Sequence, residues 1–267
     1  MPHIRPAAVA GMFYPDNPHA LRHQVETYLH DARHYSFTPK ALIVPHAGYV
    51  YSGAIAASAY AALLPIASRI RRVILLGPAH RIAVRGMALP GTDAFDTPLG
   101  RVLIATEAAR AISEFPFVCT SEAAHAEEHC LEVQLPFLQS ILTDFTLLPL
   151  LVGRATADEV ASVLEYLWGG EETLIVISSD LSHYLPYPAA KITDEKTVQS
   201  ILNFEQPISH ERACGGTPIS GLMLAAQRHG LVPHLLDLRN SGDTAGSRDH
   251  VVGYASLAYT EENHHVH

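Results

Sequence analysis

The sequence predicts an α/β fold: a single domain with a central mixed or parallel sheet flanked by helices. Three observations carry the α/β reading. Runs of β-branched and apolar residues over 41–44, 73–76 and 174–177 are long enough for buried strands, and they stop at Pro45, Gly77 and Ser178. Segments of helical periodicity stand between them, the alternation that builds βαβ units. Of 267 residues, 48% are hydrophobic and 17% charged, a balance that buries a large core and excludes a disordered chain.

Taken in order, Leu21, Val25, Tyr28 and Leu29 recur at helical spacing and predict a helix over 18–33. A strand over 41–45 follows. Ser52 then reads as the cap of a small-residue helix that ends at Leu64, before Pro65. After a strand over 72–76, residues 77–100 carry turn signals at Pro90-Gly91 and Pro98-Leu99-Gly100 and read as one long connection. A helix is expected over 106–114. Leu131, Leu135, Leu138 and Leu142 share a helical face, which predicts a second helix over 126–142, kinked at Pro136. Strand 145–151, helix 156–168 and strand 173–178 form a further βαβ unit. Helices dominate to 229, and strands over 232–238 and 251–259 follow. No repeat or shift of composition marks a boundary, so residues 1–260 read as one domain and 261–267 as a loose tail.

The net charge of −9 argues against a protein that binds nucleic acid by neutralising phosphates. The one basic cluster, Arg69-Ile70-Arg71-Arg72, reads as the end of a helix before a strand. No apolar run approaches the ~20 residues that span a bilayer, and the first residues lack a signal-peptide pattern. Three cysteines, Cys119, Cys130 and Cys214, give no disulfide framework and suit a reducing, cytoplasmic setting.

Each of the three apolar runs delivers a histidine just past its stop: His46, His80 and His183. Ligands of open α/β sheets bind beyond the carboxyl ends of the strands, so three imidazoles at that edge point to a metal or acid–base site. Asp180 stands three residues before His183, a spacing that lets the carboxylate orient the imidazole. His129 and Glu132 are three apart on the expected helix and read as support for such a site. Cys214 precedes Gly215-Gly216 and a helix start near Pro218, where a thiol is acidified. Each feature alone has a plainer reading: a turn histidine, an N-capping aspartate, a buried thiol. No phosphate-binding loop, dinucleotide fingerprint or nucleophile elbow is present. The tail histidines His264, His265 and His267 bind metal adventitiously at most.

Together the segments Ala10-Gly11-Met12-Phe13-Tyr14-Pro15, Pro45-His46-Ala47-Gly48-Tyr49, Leu76-Gly77-Pro78-Ala79-His80, 128–136, 178–183, Cys214-Gly215 and Val251-Val252-Gly253-Tyr254-Ala255 resemble the Memo family, including its members called AmmeMemoRadiSam system protein B. That family is similar in fold to class III extradiol dioxygenases, which use non-haem Fe(II). The resemblance implies metal ligation by His46, His80 and Cys214, with Asp180 and His183 as the other pocket residues. The dioxygenases carry a Glu where Cys214 stands, and a thiolate is softer and more easily oxidised than a carboxylate. The resemblance therefore implies a metal-binding protein with Fe(II), or else Cu or Zn. Three functions stay open: a dioxygenase-like oxidoreductase with His183 as general base; a non-enzymatic iron- or copper-binding or partner-binding protein using the same pocket; and zinc-dependent hydrolysis. The expected partners are a small-molecule or peptide ligand in the metal pocket and other proteins, with neither nucleic acid nor membrane.

Overall fold

The computed structural model describes residues 2–261. Its strands are β1 (Ile4–Arg5), β2 (Pro39–Val44), β3 (Arg72–Pro78), β4 (Met87–Leu89), β5 (Ala94–Thr97), β6 (Gly100–Leu103), β7 (Val118–Thr120), β8 (Thr146–Val152), β9 (Thr173–Ser178), β10 (His183–Leu185), β11 (Leu231–Asn240) and β12 (Val251–Glu261). Its α-helices are α1 (Pro18–Asp31), α2 (Tyr49–Tyr60), α3 (Thr106–Ile112), α4 (Glu122–Ala126), α5 (Leu135–Ile141), α6 (Ala157–Leu167), α7 (Tyr187–Leu202) and α8 (Gly216–Arg228).

Nine strands form one mixed sheet in the order β10-β12-β2-β9-β3-β8-β4-β7, with β11 also on β12. The middle four, β2, β9, β3 and β8, are mutually parallel. β12 runs antiparallel to β2, and β4 antiparallel to β8. A smaller sheet, β1-β5-β6, stands apart. This is the α/β domain that the apolar runs predict.

The central strands are apolar along most of their length, on both alternating faces, because both faces are covered. Leu42, Val44, Val73, Leu75, Leu174 and Val176 join one core with residues of α1, α2 and α5. Their alternates Ala41, Ile43, Ile74, Leu76, Ile175 and Ile177 join a second core with α6 and α8. One helical stretch among the described residues, Tyr49–Ile66, is long and apolar enough to cross a membrane; it is largely buried, with α2 packed on β11 and β12.

Four details depart from the sequence reading. Gly48, not Ser52, caps α2; Ser52 lies within the helix and donates to the Ala47 carbonyl. The stretch 77–100 is not one long connection, since it contains β4, β5 and the start of β6. Residues 126–142 are not one kinked helix. They break into the end of α4, an irregular link, a 3-10 turn Glu132–Gln134 and α5, where Pro136 opens the helix instead of bending it. His183, which its spacing from Asp180 sets on the first turn of a loop or helix, lies instead in β10. Of the expected loose tail, only Glu261 falls within the described residues, where it closes β12.

Candidate metal centre

Three adjacent parallel strands end level with one another, and each presents a polar side chain two residues past its end: His46 after β2, Asp180 after β9, His80 after β3. The strand order β2-β9-β3 thus sets Asp180 between the two histidines. A third imidazole comes from the link after α4. Gly77 admits it: a Cβ there would lie 2.7 Å from Cys130 Sγ and 2.9 Å from Leu131 Cδ2. With no side chain in the way, the 128–131 segment lies directly on the end of β3, and Cys130 Sγ reaches the Pro78 carbonyl at 3.2 Å.

One ring nitrogen each from His46, His80 and His129 lies within 4.8 Å of the other two. The His80 and His129 rings stack at 4.9 Å between centroids, and His46 meets both edge-on at 5.2 and 5.4 Å. Phe13 backs His129 at 4.8 Å.

The hydrogen bonds around the rings fix which nitrogen is bare. Ser178 Oγ donates its single proton to the Cys130 carbonyl at 2.6 Å. It must therefore accept from its other two neighbours, Gln134 Nε2 and His46 Nδ1, each at 2.9 Å. His46 carries its proton on Nδ1, so Nε2 presents a lone pair, met at 3.3 Å by Cys214 Sγ. Glu128 does the same for His80: its carboxylate takes the backbone N–H at 2.8 Å and ring Nδ1 at 2.9 Å. A carboxylate only accepts, so His80 carries a proton on Nδ1 and Nε2 is the ring nitrogen left to face a ligand. Glu128 further accepts the backbone N–H groups of His129 and Cys130, and lies 3.3 Å from His129 Nδ1. An imidazole anchored on one nitrogen by a carboxylate or hydroxyl, with the other nitrogen free, is the usual form of a metal-binding histidine.

The electrostatics keep His46 and His129 neutral. Burial, then the neighbouring His80, pushes His46 down to about 3. Burial, then His46, pushes His129 down to about 4. Burial raises the Glu128 carboxyl, but the hydrogen bonds and charges of His80 and His129 outweigh it and hold the group at about 2. At neutral pH the cluster is therefore two uncharged imidazoles, the Glu128-bound His80 and an ionised carboxylate behind them. Neutral imidazoles suit Zn, Cu and Fe.

The structure reorders the residues that the sequence singled out. His46 and His80 come together. His129, expected to support the site from behind, stands in the trio itself. Cys214 flanks the trio: its Sγ lies 3.3 Å from His46 Nε2, and burial followed by the Asp180 charge pushes the thiol up to about 12. Asp180 turns to His46, not to His183: Oδ1 accepts the His46 backbone N–H at 2.7 Å and Oδ2 lies 4.0 Å from Nε2. Burial raises its pKa. His183 is exposed and shares the cleft with Asp180 without a hydrogen bond between them among the described residues. Glu132 has no part in the cleft. It is fully buried in a knot with Arg5, Tyr14 and the backbone of Ala8 and Val9.

The residues that sequence reasoning missed are Glu128, Ser178 and Gln134. Glu128 carried a signal, an acid directly before His129. Ser178 and Gln134 carried none, because their partners come from distant segments. Above the trio an open cleft of about 800 Å³ is lined by Phe13, Tyr51, Arg81, His183, Tyr184 and His250, among others.

The chain matches the family of Memo-like proteins over residues 5–258. It is 35% identical over 271 residues to a MEMO1 family protein of Methanosarcina barkeri, covering 95% of this chain and 99% of that protein. It is 34% identical over 269 residues to a MEMO1 family protein of Aquifex aeolicus, covering 96% and 99%. Among solved structures, that of an uncharacterized protein from Escherichia coli K12 superposes with a TM-score of 0.49 at 15% identity, over 80% of this chain and 98% of that one. With its family match running nearly from end to end and relatives above 30% identity over almost their whole length, the chain belongs to the Memo family.

Proposed function

We propose that this chain binds one transition-metal ion through His46, His80 and His129, with Fe(II) the native metal and Cu or Zn its competitors. We further propose that a small-molecule or peptide ligand reaches the ion through the cleft, in a dioxygenase-like oxidoreductase of the reducing cytoplasm. One observation carries the reading: ring nitrogens of three imidazoles converge, and in two of the rings an acceptor holds Nδ1. Such an ion, when bound, polarises a coordinated ligand and takes or gives an electron. The protein residues do the rest. Ser178 and Glu128 aim the rings, Asp180 braces the His46 backbone, and the exposed His183 takes a proton from a ligand hydroxyl. Three unpaired thiols support the reducing compartment.

Cys214 favours a second reading. A thiol 3.3 Å from His46 Nε2 offers a soft donor, which suits iron or copper binding without turnover. The test uses chain lacking His264, His265 and His267, purified without oxygen and analysed for metal. Calorimetry then compares Fe(II), Cu(I) and Zn(II), and oxygen uptake is followed over phenols and catechols. Stoichiometric metal that falls at least tenfold in affinity in His80→Ala supports the site. Equal affinity in wild type and His80→Ala refutes it, and metal binding without oxygen uptake selects the second reading.

A further inference from the structure

We infer that Tyr184 is a specificity-determining residue of the cleft, its backbone bulged so that the phenol ring forms a stacking wall for a flat, ring-bearing ligand. The inference rests on the reading of the cleft as a ligand site and adds the kind of ligand it prefers.

β10 pairs with β12 through His183↔Val252 and Leu185↔Val251, with a register shift between the two pairs. Three residues of one strand therefore face two of the other, and Tyr184 is the extra one. Bulges of this kind re-aim a side chain and are over-represented beside active sites. Tyr184 has φ +58°, in the left-handed region that a residue with a bulky side chain rarely adopts. The neighbouring turn pins it there, since His250 Nδ1 meets the Tyr184 carbonyl at 3.1 Å.

Core packing does not account for this conformation. Tyr184 is 73% exposed, and glycine or asparagine would hold the same backbone with less strain. What the bulge achieves is position. It sets a large aromatic face on the wall of the cleft that holds the three imidazoles, 6.0 Å from the His183 ring and in the company of Phe13 and Tyr51. Strained residues over-determined by their surroundings cluster at ligand clamps. A rigid tyrosine offers a broad apolar face at little cost in side-chain freedom, and its favoured partner is another ring, offset or edge-on.

The experiment uses two oxygen-donor chelators of similar reach. 4-Nitrocatechol has a ring and acetohydroxamate has none. Both are titrated into the full chain loaded with Zn(II), in wild type, Tyr184→Leu, Tyr184→Phe and Tyr184→Gly, after metal content is measured in each. The expected result is a loss of about tenfold in 4-nitrocatechol affinity in Tyr184→Leu and Tyr184→Gly, near-wild-type affinity in Tyr184→Phe, and acetohydroxamate binding within about twofold throughout. Tyr184→Gly should also unfold at higher denaturant, because its backbone relaxes. Equal losses for both chelators, or unchanged 4-nitrocatechol binding in Tyr184→Leu, overturn the inference. If wild type takes up no metal, the metal reading fails, and 4-nitrocatechol binding to the metal-free variants decides the role of Tyr184 on its own.

Discussion

Glu128 and Glu132 lie four residues apart on one link, 2% and 0% exposed, and each carboxylate accepts four N–H or O–H groups. They do opposite work. Glu132 faces the Arg5 guanidinium, a permanent charge, and with Tyr14 it ties the N-terminal segment to the link. Arg5 extends the knot by donating to the carbonyls of His125 and Glu128. Glu128 faces imidazoles, which exchange protons and bind metals. A buried carboxylate against guanidinium locks a structure; the same group against imidazole sets the state of a site.

Removing the lock should have the largest effect. Glu132→Ala leaves Arg5 buried and uncompensated, and is expected to cost about 3–5 kcal/mol in urea unfolding. A loss below about 1 kcal/mol would show that water reaches the knot. Glu128→Gln should leave the fold largely intact but weaken metal binding about 10–100-fold, because an amide cannot accept all four donors. Calorimetry on the tail-deleted chain reads this, and an affinity equal to wild type would remove Glu128 from the site.

Acidity separates the two carboxylates further. In metal-free chain His46 and His129 stay neutral down to about 3 and about 4, while the unfolded chain protonates them near ~6.5. Between those values the unfolded state binds more protons, so stability falls as pH drops from ~6.5 towards 4, by about 1.4 kcal/mol per pH unit for each imidazole at most. Above ~6.5 their contribution is complete. Glu128, depressed to about 2, adds a second loss only below its unfolded value near ~4.5. Urea titrations of EDTA-treated protein at pH 7.5, 6 and 5 check the sign, and a flat profile contradicts it. The smallest effect belongs to Tyr14→Phe. It removes one of the four donors to Glu132 and should cost about 1–2 kcal/mol with metal affinity unchanged; a change in affinity would couple the knot to the site.

The long apolar runs made the central strands legible, and the strand-end rule made His46 and His80 legible as neighbours; it also gathered His183, which lies in the cleft outside the trio, and it paired Asp180 with His183 instead of His46. The rest was hidden for physical reasons. Leu131, Leu135, Leu138 and Leu142 imitate a helix, yet the first of them belongs to an irregular link shaped by Glu128, whose ring partner His80 lies 48 residues away in the chain. β5 and β6 are four residues each, too short for periodicity to register. Glu132 looked like a site residue because Arg5, 127 positions away, leaves no local trace.

The acceptor that sets the His46 tautomer has a consequence for the order of folding. Ser178 is the last residue of β9, and β9 inserts between β2 and β3. The pairing that unites His46 with Ser178 spans 132 residues and closes one of the longest loops of the sheet. Non-local parallel pairings of this kind are slow to form. On the ribosome, a nascent chain that stops short of Ser178 already contains all three imidazoles, but the hydroxyl that fixes the His46 ring is not yet made. The proposed metal site is thus finished only after β9 is in place.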